Sequence, residues 1–202
     1  MRSKFETYRI ILSRLAAVMV LFFLFTTRSA WETRTEALGI LLFFIGIVLV
    51  GIASLGRMWC SLYIAGYKDH KLVTDGPYSL CRNPLYFFSM IGLFGIGCTT
   101  KTLTFPLVFI VLFALYYPFV IKSEEKRLKK LFGAAFEDYT RRIPPFFPRF
   151  STFSEPEQYV VRPAVYRLHI LSALWFVWLV GVLEVIAGLK EMGVLTTFWS
   201  IY

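Results

Sequence analysis

Two adjacent glutamates, Glu124 and Glu125, are the residues of this chain best suited to do chemistry. They belong to a run from Lys122 to Gly133 that predicts a helix ending at a glycine cap. The apolar residues of this run are Leu128, Leu131 and Phe132. At 100° per residue they lie within about 80° of Glu124, whereas Glu125 is rotated toward Lys129. We therefore expect Glu124 to face an apolar surface, where a carboxylate needs a partner, and Glu125 to face solvent.

A second polar run begins at Lys68 and ends in the turn signal Asp75-Gly76-Pro77. It contains a short apolar pair, Leu72-Val73, among charged residues. The next group, 82–86, leads into an apolar stretch, and its Asn83 is typical of a helix N-cap. Local structure explains the group 82–86 by itself, but it does not explain the polar run before it.

The cysteines and histidines exclude several kinds of site. Cys60, Cys81 and Cys98 are odd in number and match no paired spacing, so the sequence predicts neither a disulfide framework nor a metal site. With only His70 and His169, a histidine-rich di-metal centre is excluded as well.

The composition indicates a polytopic membrane protein. Of 202 residues, 57% are hydrophobic and only 17% are charged, with a mean hydropathy of +0.62. This excludes a secreted mini-domain, a disordered regulator and a typical cytosolic enzyme. A net charge of +9 in so apolar a chain favours control of membrane topology over nucleic-acid binding.

Five apolar stretches approach the roughly 20 residues that cross a bilayer. They are residues 10–27, 37–55, 84–100, 102–121 and 168–189. We predict an all-α fold, one membrane domain over residues 1–202, in which the third and fourth spans form a tight helical hairpin around Lys101. Gly92, Gly95 and Gly97 are expected to pack the third span closely against the fourth, which Pro106 and Pro118 should bend.

The basic residues predict the orientation. If the N-terminus is cytoplasmic, 18 of the 22 Lys and Arg residues fall on the cytoplasmic side. The others are Arg28, Arg34, Lys101 and Lys190. This distribution obeys the positive-inside rule and puts both polar segments, 68–86 and 122–149, at the cytoplasmic face.

The ordered set of motifs resembles the isoprenylcysteine carboxyl methyltransferase and phospholipid methyltransferase superfamily. The resemblance is carried by His70-Lys71-Leu72-Val73, Gly76-Pro77-Tyr78, Arg82-Asn83-Pro84-Leu85-Tyr86, Glu124-Glu125, Phe132-Gly133 and Tyr139, with a hydrophobic hairpin between them. It covers about two fifths of the chain, from Lys68 to Arg149, and includes neither the first two spans nor the tail.

The resemblance implies an integral-membrane enzyme that uses S-adenosylmethionine to methylate a lipid or other apolar acceptor entering from the bilayer. The implied cofactor-binding residues lie in the segments 68–86 and 122–149. They are His70, Lys71, Leu72, Val73, Tyr78, Asn83, Pro84, Leu85, Tyr86 and Glu124.

We predict Glu125, Arg82 and Lys122 as catalytic residues, with Glu125 or His70 as a base for an acceptor that carries a proton. Two positions depart from the carboxyl methyltransferases. Asn83 replaces their usual histidine, and Lys122 is the only basic residue near the position of an arginine that helps to hold a substrate carboxylate. A prenylcysteine carboxylate as substrate therefore does not follow.

Two alternatives stay open at this point. One is an NADPH-dependent membrane reductase of the steroid reductase type, although Glu124 and Glu125 are poor neighbours for a 2′-phosphate. The other is a non-catalytic membrane protein acting in assembly or transport. The acceptor atom, whether oxygen, nitrogen or sulfur, the particular membrane and the oligomeric state do not follow from the sequence.

Overall fold

The computed structural model describes residue 15 and residues 18–31, 35–67 and 70–202. Residues 18–26 are helical. Six further α-helices lie wholly within the described residues. We number them α1 (Glu36–Ile64), α2 (Pro77–Leu80), α3 (Pro84–Thr99), α4 (Thr104–Arg142), α5 (Pro163–Ala173) and α6 (Trp175–Glu191). A short 3-10 helix covers Phe150–Thr152.

Some sequence predictions fall outside the described residues. They concern residues 10–14 and 16–17 of the first predicted span, and Lys68 and Asp69 at the start of the first polar segment. The basic residues counted at Arg2, Lys4, Arg9, Arg14 and Arg34 also lie outside.

Within the described residues, three helical stretches are long and apolar enough to cross a membrane. They are Glu36–Ile64, Thr104–Arg142 and Pro163–Glu191. Large apolar side chains remain exposed along them, for example Phe44 on α1, Leu115 on α4 and Val185 on α6, which suits contact with lipid. The helix α3 is apolar but has only 16 residues, about 24 Å at 1.5 Å per residue and shorter than the hydrocarbon core. The five-span arrangement therefore stays a prediction at its first and third spans.

The short helix α3 lies at the centre of the packing and contacts α1, α4 and α6. A Cβ atom added at Gly95 would lie 2.9 Å from the carbonyl oxygen of Gly46 on α1, so this pair brings two backbones together. Gly92 faces Phe176 on α6, and Gly97 faces Pro106 on α4. The predicted glycine packing against the fourth span is therefore correct for Gly97 alone, because the other two glycines face different helices.

The long helix α4 changes direction at Gly133, whose φ of 50° and ψ of −122° are not helical. This dihedral region is open to glycine and costly for other residues. The sequence prediction that the helix ends at Gly133 is confirmed, with the addition that helical structure resumes and continues to Arg142. Pro106 lies in the first turn of α4, where a proline disturbs no earlier hydrogen bond.

Two short strands correct the all-α prediction. Strands β1 (Thr27–Ser29) and β2 (Trp199–Ile201) pair in parallel. The backbone N–H of Thr104, at the start of α4, also donates to the carbonyl of Tyr202. Backbone N–H and C=O groups need hydrogen-bond partners. Those of β2 find theirs in β1, which directly follows the helical residues 18–26. The tail thereby ties the N-terminal segment to α4.

Candidate functional site

A cavity of about 290 Å³ opens where the C-terminal end of α1, the segment 71–86, the second half of α4 and α5 meet. A cluster of buried Phe136, Tyr139 and Ile143 supports one wall. Leu72 and Leu128 pack against this cluster, so residues on both sides of the turn at Gly133 take part. The turn in α4 thus helps to form the wall of the cavity.

Most of the residues that the resemblance implied for the cofactor line this cavity. They are Lys71, Leu72, Val73, Tyr78, Asn83, Leu85, Tyr86 and Glu124. These residues come from two segments that are about 40 positions apart in the sequence. The fold therefore brings the two predicted segments to one site.

Two of the predicted binding residues do not line the cavity. His70 is exposed at the start of the segment. Pro84 is fully buried at the first position of α3, where its ring fits the start of a helix. His70 is therefore solvated, and Pro84 has a structural role at the start of α3.

Of the predicted catalytic residues, Arg82 and Glu125 form an ion pair, with 3.0 Å between Arg82 Nε and Glu125 Oε1. Arg82 lines the cavity, whereas Glu125 is not among the lining residues. The Glu125 side chain is only 24% exposed, so the expectation that it faces solvent is wrong. Helical periodicity missed this because Arg82, which is distant in sequence, supplies the partner that makes burial possible. Lys122 is exposed and lies outside the cavity lining.

Asn83 has a different local role from the predicted helix cap, because its side chain makes no capping hydrogen bond. Its amide Nδ2 donates to the carbonyl of Pro145 at 2.9 Å and lies 3.4 Å from Glu125 Oε1. Asn83 is 7% exposed. It therefore connects the start of α3 to the segment that follows α4.

Glu124 lines the cavity, as the resemblance implied. The helical period predicted a buried carboxylate, but the Glu124 side chain is 36% exposed. Its Oε1 accepts a hydrogen bond from Arg127 Nη2 at 2.7 Å, one helical turn further along α4. Both side chains are more than one third exposed, so this pair is accessible from the cavity and weak in energy. A carboxylate and a guanidinium are thus available at one wall.

Tyrosine side chains form much of the remaining lining of the cavity. The hydroxyl of Tyr139 donates to the carbonyl of Tyr78 at 2.7 Å. Desolvation by burial raises the pKa of Tyr78 well above its ordinary value, so its phenol stays neutral. The ring of Tyr86 packs edge-on against Tyr117, with 5.3 Å between ring centroids. These contacts hold two aromatic faces beside the cavity.

The segment after the 3-10 helix packs against the end of α1 beside the site. The hydroxyls of Tyr67 and Tyr159 donate to the carbonyls of Val160 and Tyr63, each at 2.8 Å. Lys71 Nζ lies 5.7 Å from the centroid of the Tyr67 ring and 5.6 Å from that of Tyr159. The aromatic rings thereby hold the Lys71 ammonium by cation-π contacts.

Several lining residues had no predicted binding or catalytic role. They are Ile64, Tyr67, Arg127, Leu128, Tyr139 and His169. The helical period already put Leu128 on the face of Glu124, and Tyr139 belonged to the motif set. A signal for His169 was its position as one of only two histidines, just inside an apolar stretch. Its place at the cavity depends on the packing of α5 against α1, which no local pattern encodes.

Comparison with known proteins first gives a family. A family profile described as phospholipid methyltransferase matches residues 34–135. This range includes α1 to α3 and the part of α4 that carries Glu124 and Glu125. It ends before Tyr139 and α5.

Two bacterial relatives match nearly the whole chain. The nickel-cobalt-cadmium resistance protein NccN of Alcaligenes xylosoxydans xylosoxydans is 37% identical over 95% of this chain and 88% of its own. The cobalt-zinc-cadmium resistance protein CzcN of Cupriavidus metallidurans is 38% identical over 93% of this chain and 86% of its own.

A third relative is named as an enzyme. The protein-S-isoprenylcysteine O-methyltransferase of Schizosaccharomyces pombe is 32% identical over 40% of this chain and 34% of its own length. No solved structure matches the chain.

Proposed function

We propose that this protein, which belongs to the phospholipid methyltransferase family, transfers a methyl group from S-adenosylmethionine to an apolar acceptor in the membrane. The observation that carries the proposal is that eight of the ten implied cofactor residues line one and the same cavity. The matching of residues 34–135 to the family also supports it.

The side chains of the cavity fit the parts of this cofactor. Leu72, Val73 and Leu128 offer an apolar surface for the adenine. The Glu124 carboxylate can accept hydrogen bonds from hydroxyl or ammonium groups, and the Arg127 guanidinium can meet a carboxylate. The rings of Tyr78 and Tyr86 suit a sulfonium through cation-π attraction. The volume of about 290 Å³ is near the lower end for a ligand site.

The cofactor supplies an activated methyl group when it is bound, so the protein needs to position the acceptor and exclude water. The buried cluster beneath the cavity, formed by Phe136, Tyr139 and Ile143, excludes water from that side. The ion pair between Arg82 and Glu125 holds the start of α3 beside α4. In this proposal Arg82 lies at the wall and orients the reacting groups, while Glu125 holds Arg82 in place.

The acceptor reaches the site from the bilayer in this proposal. The chain is an integral membrane protein with three apolar helices of spanning length among its described residues. Exposed apolar residues of α1 and α4, such as Leu55 and Leu115, would face the lipid. We propose that five spans cross the membrane, that α3 and α4 form the hairpin, and that the N-terminus and the cavity are cytoplasmic, as the distribution of Lys and Arg favours.

The two relatives that match nearly the whole chain suggest the biological process to which the reaction contributes. Their names describe resistance to nickel, cobalt, zinc and cadmium. We extend the proposal to a methylation that contributes to tolerance of such metals. The name of the third relative, which matches 40% of this chain, does not extend a prenylcysteine carboxylate to it, because Asn83 and Lys122 depart from that group of enzymes.

Calorimetric titration of the full-length protein in detergent tests the activity class. S-adenosylhomocysteine is the ligand, NADPH is the comparison, and Glu124→Gln is the test variant. We expect saturable binding of S-adenosylhomocysteine that is about tenfold to a hundredfold weaker in the variant, because a charge-assisted hydrogen bond is lost.

Glu137→Gln is the matched control, since Glu137 is exposed on the same helix and pairs with Lys129 outside the cavity. This control should bind like the wild type. Binding of NADPH instead would favour the reductase, and a folded protein that binds neither ligand would favour a non-catalytic membrane protein.

A further inference from the structure

His169 lines the cavity although α5 lies outside the residues that the family profile matches. The helix α5 packs against α1 and is followed directly by α6. Among the described residues, His169 has no hydrogen-bond or ion-pair partner in the structure. The last helical region therefore adds an uncommitted imidazole to a site whose other parts come from α1 to α4.

Most of the other charged and titratable groups of the cavity have a partner among the described residues. Those lining it are Tyr67, Lys71, Tyr78, Arg82, Tyr86, Glu124, Arg127 and Tyr139. Arg82 pairs with Glu125, and Glu124 pairs with Arg127. Lys71 is a cation held over two rings. The Tyr139 hydroxyl donates to a backbone carbonyl.

A proton acceptor in a site needs a lone pair that is not already used. The arginines and the lysine are cations with no such lone pair. Neutral phenols are poor proton acceptors, and burial keeps Tyr78 neutral. Glu124 has a basic oxygen, but the proposed function assigns its carboxylate to the cofactor, and Arg127 already donates to it. An imidazole is the side chain best suited to exchange a proton near neutral pH.

We propose that His169 is the general base of the reaction and that the acceptor is an apolar thiol. This inference rests on the proposed methyltransferase function. The His169 ring nitrogen takes the proton from the thiol S–H. A sulfur lone pair then forms the bond to the methyl carbon as the carbon–sulfur bond of the sulfonium breaks, and both of its electrons stay on the departing sulfur. The products are a methyl thioether, S-adenosylhomocysteine and an imidazolium, which releases its proton to water.

The chemistry of the acceptor argues for sulfur. A carboxylate carries no proton at neutral pH, so methylation of a carboxylate needs no general base. The ordinary pKa of a thiol is about two units above that of an imidazole, and that of a primary amine is about four units above it. Proton transfer to a histidine is therefore far less costly from a thiol, whose thiolate is also the stronger nucleophile.

The test uses the full chain in lipid nanodiscs with methyl-labelled S-adenosylmethionine and three acceptors that share one alkyl chain. They are dodecanethiol, dodecylamine and dodecanoic acid. We expect the wild type to methylate the thiol in preference to the other two. His169→Gln should lower kcat/KM for the thiol at least a hundredfold. We also expect the wild type to lose rate on acidification, because the base becomes protonated. His169→Gln should not show this loss.

Binding of S-adenosylhomocysteine separates this proposal from the previous one and also reports folding. It should change less than about twofold in His169→Gln and in a second variant, His169→Asn. Arg167→Gln, an exposed change on the same helix, should keep full activity. Preference for the amine or the acid, methylation of none of the three, or a fully active His169→Gln would overturn the proposal. Failure of the wild type to bind S-adenosylhomocysteine would instead overturn the methyltransferase function itself.

Discussion

Arg82 Nε lies 3.0 Å from Glu125 Oε1, and this ion pair joins the segment before α3 to α4 beside the cavity. The two side chains are 14% and 24% exposed, so loss of one leaves a partly buried charge without its partner. We expect Glu125→Gln to lower the free energy of unfolding by about 1–3 kcal/mol. A double-mutant cycle with Arg82→Gln, measured by thermal unfolding in detergent, should give a coupling above about 0.5 kcal/mol.

The pair between Arg142 and Asp138 is the control for that cycle. It has a similar distance, 2.8 Å, but its side chains are 66% and 61% exposed. Asp138→Asn should cost less than about 0.5 kcal/mol. Equal losses for Glu125→Gln and Asp138→Asn would show that burial adds nothing to the Arg82 pair.

Asn83 allows a test of its contact with Pro145. Asn83→Ala removes the donor to the Pro145 carbonyl and should cost about 1–2 kcal/mol of stability. Asn83→Asp puts a carboxylate against that carbonyl and near Glu125, so repulsion between acceptors should make it worse than alanine. Thermal unfolding and titration with S-adenosylhomocysteine check the order. If Asn83→Asp were as stable as the wild type, this would contradict the hydrogen bond from Asn83 to Pro145.

Gly133 should resist substitution for reasons of backbone alone. A Cβ atom there would meet no atom within 4 Å, but φ is +50°. Gly133→Ala should therefore destabilise the protein by about 1–3 kcal/mol through strain. Gly181→Ala in α6 is the matched control, since it also has open space but ordinary helical backbone. It should be neutral or slightly stabilising. Equal effects would mean that the turn at Gly133 adapts to alanine.

The approach of α1 and α3 predicts a steric effect. A Cβ atom at Gly46 would lie 2.7 Å from the Gly95 carbonyl oxygen, whereas one at Gly51 on the same helix meets nothing within 4 Å. Gly46→Ala should separate the helices and cost about 1–3 kcal/mol. Gly51→Ala should be close to neutral. Thermal unfolding of both variants in the same detergent decides, and a harmless Gly46→Ala would rule out the close approach.

Tyr159 predicts a dependence of stability on alkaline pH. Desolvation, with smaller effects from Tyr67 and Asp75, raises the pKa of Tyr159 to about 12, above the value of about 10 for a free tyrosine. The neutral phenol is thus favoured in the folded state. Its contribution is complete below pH 10 and is lost as the pH rises through about 12.

The difference in melting temperature between the wild type and Tyr159→Phe should therefore be largest near pH 8 and shrink toward pH 12. Tyr166→Phe is the control, because the Tyr166 hydroxyl has no hydrogen-bond partner among the described residues. A constant difference for Tyr159→Phe across this range would contradict the raised pKa.

Composition and local pattern predicted much of this protein. Apolar runs located three helices of spanning length, since a helix in lipid must satisfy its own backbone and needs apolar side chains along its whole length. The glycine at position 133 marked the end of a helix, because few other residues adopt its dihedral angles. Ten residues of the motif set line one cavity, and eight of them are the ones implied for the cofactor.

Tertiary structure alone decided which partners those residues have. The solvent exposure expected for Glu125 and the cap expected for Asn83 followed from helix period and local preference, but Arg82 and Pro145 are brought to them by folding. The same holds for His169, which reaches the cavity through the packing of α5. A local pattern depends on residues within a few turns, whereas an ion pair, a carbonyl contact or a cavity wall depends on segments far apart in the chain. The sequence by itself therefore determined the membrane helices and the candidate residues, and the packing of the helices decided what each residue contacts.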